Sequence, residues 1–194
     1  MEDKYKLIVD SFGKDRFKFN EPLKDYTVLS SEGYADIFFV AFKTAEFIKL
    51  IKMCRELKIP VFVIGTGSKI MISKSGFPGL VIKNRTTDVK TKSIKGKVTK
   101  FGIGVEEALI EVDSGLSLNK FCQYLDSQNL IADEFYNIPG SIGGNLFWNR
   151  FLQSKVKSIK ILDWASEIEE ISGAELSSKK HVILSAVFSI KAKV

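Results

Sequence analysis

Short apolar runs alternate with helically spaced ones along this chain, the signature of mixed α and β structure. Ala35 to Ala41 is a dense apolar and aromatic run and predicts a buried strand. Thr44 is placed to cap a following helix in which Phe47, Ile51, Cys54 and Leu57 recur at helical spacing, with Pro60 marking its exit. Val61 to Ile64 predicts a second buried strand. Gly65-Thr66-Gly67-Ser68 is a turn, followed by the apolar Ile70 to Ile72. Leu80 to Ile82 is a further strand, entered through Gly76-Phe77-Pro78-Gly79. The second half predicts a strand pair over Val98 to Val105 and Leu109 to Val112. A helix over Leu118 to Asn129 then carries Leu118, Phe121, Cys122 and Leu125 on one face. Ile138 to Gly144 is a second glycine-rich turn leading into residues 145–151, and Ser158 to Leu162, Ile168 to Ile171 and His181 to Ile190 read as strands. The division that follows is a first lobe over 1–83, a basic connector over 84–97 and a second lobe over 98–194.

A length of 194 residues with 45% apolar and 27% charged residues is ordinary globular composition. No apolar run approaches the roughly 18–20 residues needed to cross a bilayer, and no signal-peptide core follows the polar Met1 to Lys6, so a cytoplasmic setting is expected. Cys54 and Cys122, far apart and inside helical patterns, read as buried free thiols. The single histidine, His181, opens a strand and excludes a histidine pair or zinc cage; no metal site is expected. The net charge of +6 fits a solvated basic surface or an anionic partner such as a nucleotide, a phosphosugar or nucleic acid. Lys90, Lys92, Lys95, Lys97 and Lys100 cluster with no aromatic residue among them to stack a base. A hairpin or edge strand guarded by lysine is the preferred reading, and nucleic-acid binding the weaker one.

The two glycine turns carry the chemistry. A glycine-rich turn behind a buried strand can present several N–H groups to one phosphate, because it tolerates positive φ and has no Cβ in the way. Gly65 to Ser68 adds two hydroxyls, but it is neither a Walker motif nor a dinucleotide fingerprint. In the second turn, Pro139 fixes one φ, Gly140 permits a bend, and Ser141 is placed to cap a helix whose N-terminus would favour a pyrophosphate. Gly143 and Gly144 leave room for a flat ligand or another backbone.

These blocks resemble the UDP-N-acetylenolpyruvoylglucosamine reductases, the UDP-N-acetylmuramate dehydrogenases of peptidoglycan biosynthesis. The matching segments are Asn20 to Thr27, Gly33-Tyr34-Ala35-Asp36, Ile59 to Ser68, Gly76 to Ile82, and Ile138 to Gly144 with Asn149 five residues on. The resemblance implies an α+β, two-lobed FAD-binding fold of the vanillyl-alcohol oxidase / PCMH type, lacking the family's C-terminal substrate domain. It implies non-covalent FAD between the lobes, with NADPH as electron donor. Ile64, Gly65, Thr66, Gly67, Ser68 and Lys69 would hold the pyrophosphate. Ile138, Pro139, Gly140, Ser141, Gly143 and Gly144 would line the other side of the cofactor. Asn145 and Asn149 would stand near it, and N–H groups at Gly143 and Gly144 would stabilise charge on the reduced ring.

The chain departs from the family at several points. Lys69 stands where the family has asparagine, and Ser30-Ser31-Glu32-Gly33 replaces Arg-Ile-Gly-Gly. Arg150 to Gln153 replaces Ala-Gly-Ala-Tyr-Gly, and Ala174 to Lys180 replaces the segment that brings the catalytic arginine. The family's catalytic arginine, serine and glutamate have no matching residue, so no catalytic residue is assigned. Two functions follow: an NAD(P)H-linked flavin oxidoreductase with a reduced or altered substrate site, or a non-catalytic FAD-binding or partner-docking module. A protein partner or homodimer is expected on the side left open by the absent domain.

Overall fold

The computed structural model describes residues 3–28, 32–100 and 102–193, and it divides into two units, Met1–Thr86 and Thr87–Val194. Ser30 and Ser31, two of the residues that depart from the family, lie outside the described residues, as does Phe101 within the expected Val98 to Val105 strand.

The first unit is a four-stranded sheet in the order β1-β2-β4-β3, built from β1 (Phe17–Pro22), β2 (Tyr34–Ala41), β3 (Val61–Ile64) and β4 (Phe77–Asn84). β2, β4 and β3 run parallel, and β1 pairs antiparallel with β2. The helix expected after Thr44 is α2 (Thr44–Glu56), which buries Phe47, Leu50, Ile51 and Cys54. A helix the sequence reading passed over, α1 (Asp3–Phe12), precedes β1. Its signal was present: Tyr5, Ile8 and Val9 are buried and recur with Phe12 at helical spacing. Successive residues of β2 point to opposite faces. Phe39 packs toward α1, its ring 5.6 Å from that of Phe12. Phe38 faces the other way, 4.3 Å from the ring of Tyr26, in a small cluster with Leu23, Ala35, Ile64 and Val81. Ile70 and Ile72, from the segment after the first glycine turn, cover that cluster. Fully burying β4 on both faces accounts for its nearly unbroken apolar run.

The second unit is a five-stranded antiparallel sheet in the order β5-β6-β9-β7-β8. Its strands are β5 (Val89–Thr99), β6 (Gly102–Asp113), β7 (Val156–Leu162), β8 (Ile168–Ile171) and β9 (Val182–Lys191), with α3 (Leu118–Ser127) packed on one face. Phe121 of α3, Phe135 and Phe188 of β9 form an aromatic centre, with Phe121 and Phe188 5.2 Å apart. Two expectations are corrected here. The basic connector over 84–97 is largely a strand, because β5 occupies residues 89–99 and the units divide at Thr86. The expected pair Val98 to Val105 with Leu109 to Val112 is instead β5 against β6, closing at Thr99 and Gly102. β5 is the lysine-guarded edge strand preferred for this stretch, and its bounds carry no apolar period because residues 90–98 are exposed on both faces. Lys90, Lys92, Lys95 and Lys97 are all exposed there, which suits an edge that must resist further pairing.

Glu111 on β6 shows how this unit handles a partly buried charge. It accepts from Lys160 Nζ at 3.0 Å and Ser185 Oγ at 2.7 Å, and pairs with Lys92 at 3.3 Å. Burial alone would raise its pKa, but these donors outweigh burial and hold the carboxyl down at about 2. Both cysteines are free and buried. Burial pushes the Cys54 thiol up to about 12 and also raises Cys122, so neither is a ready nucleophile.

Candidate functional site

The first glycine turn sits at the carboxyl end of β3, where open sheets with parallel strands place their ligands. Ile64, the last residue of β3, is fully buried and anchors the turn to the core. Gly67 adopts φ +79°, and a Cβ there would lie 1.9 Å from the carbonyl oxygen of Tyr26. No other residue fits, and the turn is fastened by Val28 N–H donating to the Gly67 carbonyl at 3.2 Å. The N–H groups of Thr66, Gly67 and Ser68 donate to no protein acceptor among the described residues. The Thr66 and Ser68 hydroxyls stand 3.2 Å apart, Thr66 and Lys69 exposed and Ser68 half-buried. A rigid turn with unspent donors and two hydroxyls is chemically matched to phosphate oxygens.

Lys83 lies beside this turn, on a strand for which the sequence reading assigned no site residue. Its Cα pairs in register with Ile64 on β3 and with Val40 on β2. It is 8% exposed, and its Nζ sits 5.7 Å from the centre of the Tyr26 ring. No carboxylate pairs with it among the described residues. Burial, then the neighbouring charge of Arg85, lowers its pKa. Tyr26 is itself fixed, donating to Glu21 at 2.6 Å and accepting from Lys18 at 3.0 Å. Asn84, next on β4, accepts from both the backbone N–H and the hydroxyl of Thr86 and so closes the strand end. The sequence signal for Lys83 was a cation placed directly after the apolar Leu80-Val81-Ile82, inside a strand with no polar face.

The second glycine turn is built differently. Ser141 does cap the helix that follows, accepting from Gly144 N–H at 3.3 Å. That helix, α4 (Ile142–Leu146), is one short turn, and its leading donors are spent within the protein. Ile142 N–H donates to the Leu116 carbonyl and Gly143 N–H to that of Ser114, at 2.8 and 2.9 Å; Asn145 N–H returns to Ser141. The expected anion cradle at this helix N-terminus, and the N–H pair at Gly143 and Gly144 expected to stabilise a reduced ring, are therefore corrected. A Cβ on Gly143 would come within 2.9 Å of the Ser114 Cβ, so this glycine exists for close packing of backbone on backbone. Asn145 is fully buried and donates to the Pro139 and Ser141 carbonyls at 3.1 and 3.0 Å. Asn149 caps α5 (Arg150–Lys155), accepting from Leu152 N–H. Both side chains hold the turn rather than reach outward. Pro139 and Gly144 are exposed, while Ile138 and Gly140 are half-buried.

Among the described residues, no group of three or more His, Cys, Asp or Glu is placed to hold a metal ion, and no helix is long and apolar enough to cross a membrane.

Comparison with known proteins bears on these two units together. The fold is similar to UDP-N-acetylenolpyruvylglucosamine reductase from Thermus caldophilus, with TM-score 0.61, 20% identity and coverage of 92% of this chain and 62% of that one. It is also similar to p-cresol methylhydroxylase, with TM-score 0.60, 14% identity and coverage of 100% and 44%. These likenesses define an α+β flavoprotein fold of the PCMH type. The UDP-N-acetylenolpyruvoylglucosamine reductase of Lactobacillus helveticus is 33% identical over 186 residues, 87% of this chain and 57% of that protein. The FAD binding domain family model matches residues 35–154, and the chain belongs to that family. It spans a little over half the length of the curated relatives it matches.

Proposed function

We propose that this chain is the cofactor-holding part of an NAD(P)H-linked flavin oxidoreductase with a substrate site altered from that of the reductases it resembles. The observation that supports this most directly is the first turn, whose backbone N–H groups are oriented yet unspent among the described residues, with two hydroxyls beside them. In this reading Gly65, Thr66, Gly67 and Ser68 take the pyrophosphate of FAD, with Ile64 anchoring the turn and Lys69 at its rim. Pro139, Gly140 and Gly144 offer open backbone surface to the cofactor, while Ile138, Ser141, Gly143, Asn145 and Asn149 shape the segment that carries them. Bound FAD supplies a two-electron carrier that takes hydride from a nicotinamide nucleotide and passes it to an acceptor. The setting is cytoplasmic, and a second copy or a protein partner completes the assembly.

Visible absorption after incubation with FAD and desalting tests the cofactor assignment; retained flavin bands are expected, and colourless protein would refute it. NADPH consumption with a panel of acceptors, faster than free flavin supports, tests the oxidoreductase assignment. Size-exclusion chromatography at high concentration tests the assembly, where a monodisperse monomer argues against a homodimer.

The second reading, a non-catalytic flavin-binding or partner-docking module, is favoured by one observation. Gly143 and Gly144 have no N–H to offer developing charge, because Ser114 and Ser141 already use them. Flavin retention with no NADPH turnover would select it.

A further inference from the structure

We propose that Lys83 is an anion anchor for the first glycine turn, its ammonium pairing with a phosphate of the nucleotide that the turn receives. The inference rests on the reading of that turn as a phosphate site and extends it to a residue in a separate strand. A lysine whose residue is 8% exposed keeps most of its side chain out of water, and such a residue is rare unless an opposite charge meets it. Lys83 has the ring of Tyr26 beneath it and no carboxylate within ion-pairing distance among the described residues. An aromatic face compensates only part of the lost hydration.

Position argues the rest. Lys83 and Ile64 are register partners on adjacent parallel strands, and Ile64 is followed at once by Gly65. Adjacent strands lie about 4.8 Å apart, so Lys83 departs from the sheet next to the base of the turn. Tyr26 touches both elements: its carbonyl oxygen is the atom against which Gly67 is pressed, and its ring carries the Lys83 ammonium. Tyr26 cannot swing aside easily, because its hydroxyl is held by Glu21 and Lys18. The turn supplies neutral donors, Thr66 and Ser68, with the exposed Lys69 at its rim; Lys83 adds a cation from the adjacent strand. Arg85, exposed and next but one on the chain, adds to the positive field and repels Lys83 in the empty protein. An arriving phosphate would relieve that repulsion and give the ammonium an opposite charge.

Isothermal titration of wild type, Lys83→Met and Lys90→Met with FAD, ADP and riboflavin tests this. Riboflavin lacks the pyrophosphate, and Lys90 is an exposed lysine of β5 whose loss removes the same net charge. Lys83→Met should weaken FAD and ADP at least ~10-fold, the scale of one charge-assisted contact, and leave riboflavin unchanged. Lys90→Met should leave all three unchanged. Equal FAD and ADP affinities for wild type and Lys83→Met would overturn the proposal. ADP binding that depends on Lys83, without FAD binding, would keep the anchor and refute the flavin reading. Wild type that binds neither nucleotide would refute both. Should Lys83→Met fail to fold, acetylation of wild-type lysines read by peptide mass spectrometry decides. ADP should slow labelling of Lys83 and not of Lys90; equal Lys83 labelling with and without ADP would overturn the proposal.

Discussion

The two glycine turns look alike in sequence and are opposite in construction. In the first, Thr66, Gly67 and Ser68 keep their N–H groups unspent among the described residues, beside a buried lysine with no carboxylate partner. In the second, the donors of Ile142, Gly143, Gly144 and Asn145 are all consumed by neighbouring carbonyls or by the Ser141 hydroxyl. Their buried charges and polar groups differ in the same sense. Glu111 in the second unit is met by two lysines and a serine, and Asn145 by two carbonyls; Lys83 in the first has an aromatic ring and, among the described residues, no carboxylate. A fully answered polar group reports on the fold, whereas one left unanswered marks a place where something else must come. Glycine content alone makes no such distinction.

The sharpest way to break this contrast is Gly67→Ala. The added Cβ would strike the Tyr26 carbonyl at a backbone conformation that L-residues disfavour by about 1–2 kcal/mol before any clash is counted. The first unit should lose about 3 kcal/mol in thermal or urea unfolding, together with its ADP and FAD affinity. A variant that keeps full stability and affinity would mean the turn is not locked as described.

Asn145→Leu tests the other side. It removes the side-chain donor that the Pro139 and Ser141 carbonyls share and should cost about 2–3 kcal/mol in urea unfolding of the second unit. ADP affinity should be unaltered. Lost ADP binding with unchanged stability would reverse the assignment of the two turns.

Glu111→Gln should destabilise by about 1–2 kcal/mol, since it weakens charged hydrogen bonds without opening a cavity. The pH dependence has a definite sign. A carboxyl lowered from 4.5 to about 2 adds stability that is complete above pH 4.5 and is lost as pH falls through 2. Urea midpoints between pH 5 and pH 2 should fall more steeply for wild type than for the variant.

Lys83→Met, measured without ligand, should leave stability equal or raise it by up to about 1 kcal/mol, because a mostly buried side chain that carries a cation is replaced by an apolar chain of like length. Its pKa lies below the ordinary 10.5, so wild type should gain stability as pH rises toward that value, and the variant should lose this gain. Urea midpoints from pH 8 to 10.5 read it directly. A clear destabilisation at neutral pH would mean that Lys83 has a partner in the fold itself.

The smallest stability effect is expected from Thr66→Ala with Ser68→Ala, within about 0.5 kcal/mol in thermal unfolding. Loss of two neutral donors to phosphate should still weaken ADP by roughly 3–10-fold in the same titration.

Much of the fold was legible along the chain, because burial imposes a period on residues that share a face. β2, α2, β3, α3, β8 and β9 fall close to where their apolar spacing placed them. The exceptions have physical reasons. In β5, residues 90–98 are exposed on both faces, so no apolar period marks its bounds, although its lysines suggested an edge strand. In α1, a charged start drew attention from Tyr5, Ile8, Val9 and Phe12, whose spacing was helical throughout. Both glycine turns were found, since glycine marks where a backbone bends or is closely approached, and the order of segments identified the family.

What the chain by itself determined was therefore the elements, the turns and the class of cofactor, all of which depend on local spacing and on short motifs. Only the tertiary structure decided which turn has donors to give, since that depends on Ser114, Leu116 and Tyr26, residues distant in sequence that reach the turns through strand ends and loops. It alone set Lys83 beside Ile64 and over Tyr26, because parallel pairing of β3 with β4 joins segments that a whole turn and loop separate. Hydrogen-bond supply and charge pairing are settled by neighbours in space, and a linear pattern does not contain them.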